Sequence, residues 1–144
     1  MIWRLIVLAG LLSAQNPIPA RDPLFAVKAA RGEFNDAVSA FQKGFWTDID
    51  RKKAAGKMGQ DVDIFLRYLR VNLHDRATLR VDDLKKLNKT QLAAELLKLA
   101  HEIQPQLARM VRAENSAVVP VDHWEFLLKL EGQLLRLKWL ASRL

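Results

Sequence analysis

The chain has 144 residues, of which 50% are hydrophobic and 27% charged, and its formal net charge at pH 7 is +7. This composition is typical of a single globular domain and excludes an intrinsically disordered chain or one embedded in a membrane. The sequence contains no cysteine, which excludes disulfide frameworks, cysteine-ligated metals and thiol catalysis.

The first residues predict an export signal. Arg4 provides a short positive region, an apolar run (LIVLAGLL) follows at residues 5–12, and Ser13-Ala14 offers a small residue for cleavage. This run is too short to cross a bilayer, which takes about 20 apolar residues. We expect cleavage after Ala14, and a buried N-terminal helix is the alternative. The predicted organisation is a signal peptide, a spacer with two prolines and a single helical domain, in residues 1–14, 15–21 and 22–144.

Two helices are predicted after the spacer. The first begins at Asp22-Pro23, because aspartate is a good N-cap and proline suits the first helical position. Its apolar stripe consists of Leu24, Val27, Phe34, Val38, Phe41 and Phe45. We expect this segment to end across residues 51–59, which contain two glycines. The second helix runs from Asp61 to His74. Its apolar face consists of Val62, Phe65, Leu66, Leu69 and Leu73.

A third helix has a distinct start. Residues 75–81 are expected to form a loop and residues 82–87 one extra helical turn. Asn88 and Gln91 then match a capping box, in which each side chain binds the backbone N–H of the other residue. Pro105 lies within the helix and should kink it. The apolar face consists of Leu92, Leu96, Leu99, Ile103, Leu107 and Met110.

The fourth helix is expected to start with a second capping box, formed by Asp122 and Glu125. A heptad seam follows at Leu127, Leu130, Leu134, Leu137, Ala141 and Leu144. A second apolar seam runs beside it, at Trp124, Leu128, Leu135 and Trp139. Together the two seams are too wide for one neighbouring helix. Either this helix is central to a bundle, or the second seam docks a partner.

Basic residues are concentrated in the middle of the chain. Residues 51–89 contain eleven basic and five acidic residues, whereas the two signs balance elsewhere between residue 15 and the C-terminus. The basic residues are Arg51, Lys52, Lys53, Lys57, Arg67, Arg70, Arg76, Arg80, Lys85, Lys86 and Lys89. Such a patch attracts anionic partners. For an exported protein these are lipid head groups, acidic polysaccharide or acidic chains, and no nucleic acid is expected. The alternative is a solvated surface that keeps the protein soluble.

No set of residues predicts catalysis, a cofactor site or a metal site. The three histidines, His74, His101 and His123, lack the spacing of helical metal ligands. We interpret them as solvated or capping residues. An enzyme would need a site assembled only by folding, for example a pocket in which His101, Glu102 and Glu95 converge.

The residues Leu87 to Gln91 resemble the Leu-Thr-x-x-Gln motif of small periplasmic stress chaperones, with Asn88 in place of the threonine. The resemblance implies an exported helical protein and no particular site residues. Four amphipathic segments joined by short connections predict an all-α protein, an up-down bundle of about four helices. We interpret the chain as a periplasmic or secreted, non-enzymatic binding or structural module without a transmembrane span. The alternatives are a client-holding chaperone and a small helical enzyme.

Overall fold

The computed structural model describes residues 23–43, 47–71, 73, 75–114 and 121–144. Helices account for most of these residues, and they pack as a bundle. They are α1 (Pro23–Gln42), α2 (Asp48–Arg70), α3 (Lys89–Glu114) and α4 (Val121–Ser142). The prediction of an all-α bundle of four helices is therefore confirmed. The predicted signal peptide and spacer lie outside the described residues. None of the described helices has the length and hydrophobicity needed to cross a membrane.

The boundary predicted between the first two helices is wrong. α2 begins at Asp48 rather than at Asp61, and the glycines of residues 51–59 lie inside it. Its start is stabilised by Thr47, whose Oγ1 accepts a hydrogen bond from the backbone N–H of Asp50 at 3.1 Å. Two glycines cost about 1 kcal/mol each relative to alanine. Packing offsets that cost, because the N-terminal half of α2 already contributes buried side chains at Ala54, Ala55 and Met58.

The four helices form a ring in which each packs against two others. α1 and α4 both pack against α2 and α3. Neighbours are antiparallel, as the α2–α4 pair shows: Asp63 pairs with Lys138. Two turns further along α2, Arg70 pairs with Glu131, which comes earlier in α4. In each of the other three neighbouring pairs, residues later in one helix also contact residues earlier in the other, so these pairs are antiparallel as well.

This arrangement makes the diagonal helices α2 and α3 parallel. α2 ends at the end of the bundle opposite to the start of α3, so the described residues between these helices, 71, 73 and 75–88, extend from one end of the bundle to the other. The part within residues 75–88, here called the crossover segment, lies along α4. Val81 and Leu84 of this segment are buried, and Leu84 N–H donates to the Val81 carbonyl at 2.9 Å. Short connections are predicted between all the helices, whereas the connection between α2 and α3 is a long crossover.

The predicted apolar faces form the core. In α4, the seam residues Leu127, Leu130, Leu134 and Leu137 are fully buried. The predicted apolar face of α3 is buried as well. Phe34 of α1 and Phe65 of α2 meet edge to face, with ring centroids 5.7 Å apart. This is a favourable geometry for an aromatic pair. The buried apolar side chains of all four helices belong to one cluster.

The predicted capping box at the start of α3 is confirmed. Asn88 Oδ1 accepts a hydrogen bond from Gln91 N–H at 2.9 Å, and Gln91 Oε1 accepts one from Asn88 N–H at 3.0 Å. α3 then continues through Pro105 to Glu114. α4 begins at Val121, one residue before the predicted cap Asp122, whose side chain lies outside the described part.

Removal of the Asn88 side chain tests this cap. We expect Asn88→Ala to lower the free energy of unfolding by about 0.5–2 kcal/mol, because Gln91 N–H loses its acceptor. Asn88→Gly should cost only a few tenths of a kcal/mol, since glycine is itself tolerated at an N-cap. Urea unfolding of both variants measures the difference. Equal and negligible effects would contradict a stabilising role for the box.

Candidate anion-binding groove

A groove of about 630 Å³ lies between the last turns of α2 and the middle of α4. It is lined by Asp63, Leu66, Arg67, Arg70, Val71, Leu135 and Lys138. Leu66 is buried, Leu135 is half-buried, and Val71 at the end of α2 is 82% exposed. The groove therefore combines an apolar lining with three cationic side chains and one carboxylate.

The cations of the groove differ in how they are engaged. Lys138 Nζ donates to Asp63 Oδ1 at 2.6 Å, across the groove. Arg70 Nε donates to Glu131 Oε2 at 2.6 Å. Arg67 is exposed and has no ion-pair or hydrogen-bond partner among the residues that the structure describes. Arg67 is therefore the guanidinium in the groove that is available to an anion.

The predicted basic residues are spread over the molecule. The α2–α4 groove is lined by Arg67 and Arg70, and a pocket at the opposite end of the bundle is lined by Arg51, Lys52 and Lys89. A trough between α1 and α2 is lined by Lys53 and Lys57. The crossover segment contains the other four, Arg76, Arg80, Lys85 and Lys86. Several pair with carboxylates, namely Arg51, Lys57, Arg70 and Lys85. Arg67 and Arg70 thus adjoin an apolar-lined groove with a third cation, and the pocket of Arg51, Lys52 and Lys89 has apolar side chains in its lining as well.

Glu131 holds this region together, and the sequence analysis did not identify it. Its side chain is fully buried in α4. One carboxylate oxygen accepts from Arg70 Nε, and the other accepts from the backbone N–H of Ala77 at 2.7 Å. A buried carboxylate is tolerated only when it is paired and hydrogen-bonded, and here both conditions are met. The signal in the sequence is its position, four residues after Leu127 and three before Leu134, on an apolar face.

A second contact fixes the crossover segment to α4. The Arg136 guanidinium donates two hydrogen bonds to the Asp83 carboxylate, at 2.6 and 2.9 Å, and one to the Arg80 carbonyl at 2.8 Å. These bonds lower the pKa of Asp83. The geometry is bidentate, although both side chains are partly exposed and solvent weakens the pair.

The second apolar seam of α4 is partly covered. Leu128, Leu135 and Trp139 are half-buried, and Trp124 is 44% exposed. Glu131 lies on the same side of the helix, between Leu128 and Leu135, and its carboxylate binds the crossover segment through Ala77 N–H. The Arg143 guanidinium lies 4.7 Å from the centre of the Trp139 ring. Two neighbouring helices and the crossover segment thus account for much of the width of this apolar face.

A pair of carboxyl groups lies between α1 and α2. Asp61 is buried, and it interacts with Glu33 of α1. Lys57 Nζ lies 3.4 Å from Glu33 Oε2. Burial, and then the hydrogen bond and charge of Glu33, raise the pKa of Asp61 to about 7. The same hydrogen bond lowers the pKa of Glu33. Asp61 is thus a buried acid beside Glu33 that holds its proton up to near-neutral pH.

The pocket that would favour an enzyme does not form around His101. Glu95 and Glu102 line a small groove between α3 and α4. The His101 ring instead points toward α1, with its nitrogens 3.2 Å from the side-chain oxygens of Gln104 and Gln42. Within the described part of the chain, no group of three or more potential ligands is placed to hold a metal ion. His74 lies outside that part.

Comparisons with known protein families, curated proteins and solved structures find no match to this chain. Its function therefore has to be inferred from its own residues.

The role of Glu131 can be tested with Glu131→Gln. The amide can still accept from Ala77 N–H, but it loses the charge that holds Arg70. We expect the free energy of unfolding to fall by about 1.5–3 kcal/mol, the usual contribution of a hydrogen bond to a charged group. Hydrogen exchange at the Ala77 amide should also become faster. The matched control is Glu125→Gln, at an exposed position of the same helix. Equal unfolding energies for the two variants would contradict the anchoring role.

The Glu33–Asp61 pair predicts a pH dependence of stability. The pKa of Asp61 is raised from 3.8 to about 7 in the folded protein, so the folded state binds a proton that the unfolded state releases. Stability should therefore fall as the pH rises from about 4 to about 7, by an amount on the order of a few kcal/mol. Asp61→Asn should flatten this dependence, because an amide does not titrate in this pH range.

The matched control for this prediction is Asp36→Asn, an exposed carboxylate of α1. Thermal unfolding between pH 4 and pH 8 provides the measurement. The prediction would be wrong if the parent protein and Asp61→Asn lost stability equally over that range.

Proposed function

We propose that the protein is an exported, non-enzymatic helical module of the cell envelope that binds an anionic partner in the α2–α4 groove. The observation that carries this proposal is the groove itself, in which Arg67 is available beside Arg70, Lys138 and an apolar lining. Guanidinium groups bind phosphates and carboxylates with two parallel hydrogen bonds. An apolar lining adds affinity for anions that carry hydrocarbon.

Export is supported by the N-terminal sequence, with Arg4, the apolar run at residues 5–12 and the small residues before Gln15. The predicted location is the periplasm or the extracellular space. The mass of the exported protein tests this part of the proposal. A chain that begins at Gln15 is expected, and an exported chain that still begins at Met1 would contradict cleavage.

The carboxylates support a binding role rather than a catalytic one, because those named next are engaged in contacts within the bundle. Glu131 and Asp83 hold the crossover segment, Glu33 pairs with Lys57, and Asp61 is engaged with Glu33. These groups stabilise the bundle. A client-holding chaperone is the main alternative. It needs a broad apolar surface. The described residues expose five large apolar side chains, namely Phe25, Ile49, Val71, Leu79 and Trp124.

Charge reversal in the groove tests the binding role. The probe is fluorescein-labelled polyglutamate at low ionic strength, titrated with the mature protein. We expect Arg67→Glu to weaken binding by about tenfold, which corresponds to about 1.4 kcal/mol, because an attractive charge becomes repulsive. The matched control is Lys52→Glu, which makes the same charge change in α2 at the opposite end of the bundle.

The control should bind nearly as well as the parent protein. An equal loss in both variants would show that total charge determines binding and would contradict the groove. The chaperone alternative would gain support if the protein suppressed aggregation of reduced lysozyme and Arg67→Glu left that activity unchanged.

A further inference from the structure

The α2–α4 groove opens toward the end of the bundle that carries exposed apolar side chains. Because neighbouring helices are antiparallel, the start of α1, the end of α2 and the start of α4 share this end. Each contributes one large exposed apolar residue: Phe25 is 56% exposed, Val71 82% and Trp124 44%. Three helices thus present apolar side chains in the same region.

Cationic side chains accompany these residues. Arg67 and Arg70 lie in the last turn of α2, and Arg76 follows in the crossover segment. Arg112 is exposed in the last turn of α3, at the same end. The described carboxylates of this region include the exposed Asp75 and Glu125 and the buried Glu131. The exposed arginines of this end, Arg67, Arg76 and Arg112, outnumber the two exposed carboxylates named here, so its exposed charge is predominantly positive and complements an anionic surface.

The combination fits a lipid surface better than an acidic protein. Tryptophan and other amphipathic or apolar side chains partition into the membrane interface, and arginine binds head-group phosphates from there.

We propose that this end of the bundle docks onto an anionic lipid bilayer surface. In the docked protein, Phe25, Val71 and Trp124 enter the interface, and Arg67 contacts lipid phosphates. The inference rests on the proposed function and specifies the partner of the same groove.

Vesicle binding tests the inference with the mature protein. The probes are vesicles of phosphatidylcholine with and without 40% phosphatidylglycerol, and binding is measured by co-sedimentation. The parent protein should bind the anionic vesicles and should release them at high salt. Phe25→Gln combined with Trp124→Gln, at two positions outside the groove, should weaken vesicle binding by about tenfold, because the inserting side chains become polar. The same variant should bind polyglutamate unchanged, since no charge is altered.

The matched control is Ile49→Gln, which replaces an apolar residue that is 69% exposed at the opposite end of the bundle. Trp124→Gln alone serves if the double variant unfolds. Equal loss with Ile49→Gln would overturn the assignment of this end. Binding of polyglutamate without binding of anionic vesicles would overturn the lipid inference and leave the proposed function intact, with an acidic chain as the partner. Failure to bind either probe would overturn both.

Discussion

The buried Glu131 carboxylate is the interaction on which the architecture depends. It joins α4 to two parts of the chain that lie 61 and 54 residues earlier, namely Arg70 at the end of α2 and Ala77 in the crossover segment. In an apolar core an isolated carboxylate is strongly unfavourable, so both partners are needed to offset the burial of Glu131. The interaction therefore specifies where the crossover segment lies, while the surrounding leucines supply most of the stabilisation.

The same interaction shapes the candidate groove. It withdraws Arg70 toward the core, and it leaves Arg67, one turn earlier on α2, exposed to the groove. Lys138 is held on the opposite side by Asp63. The candidate site is thus positioned by ion pairs between two rigid helices rather than by a loop. Side chains on such elements keep their spacing, which favours repeated recognition of the same anionic group.

Local patterns in the sequence predicted much of the fold. Leu127, Leu130 and Leu134 follow a helical period, and this period identified the core face of α4 correctly. The capping box at Asn88 was also readable, because it involves residues only three apart. The start of α2 was missed because glycines suggested an ending, whereas burial of residues on both sides of them sustains the helix.

The candidate groove could not be predicted in the same way. The concentration of basic residues in the middle of the chain was visible, but folding distributes them over several surfaces. Which of them remain available depends on carboxylates far away in sequence, as Arg70 and Glu131 illustrate. The parallel arrangement of α2 and α3 was equally hidden, since the direction in which helices pack is not encoded in either helix alone.

The crossover has a consequence for how the chain acquires its structure. Residues 75–88 find their principal anchors, Glu131 and Arg136, only in the last helix. Each of the other helices likewise packs against a neighbour that follows it in the chain. As the polypeptide is synthesised from its N-terminus, the Glu131 anchor is therefore absent until α4 is available. Completion of the bundle is thereby postponed until the last helix of the chain has been made.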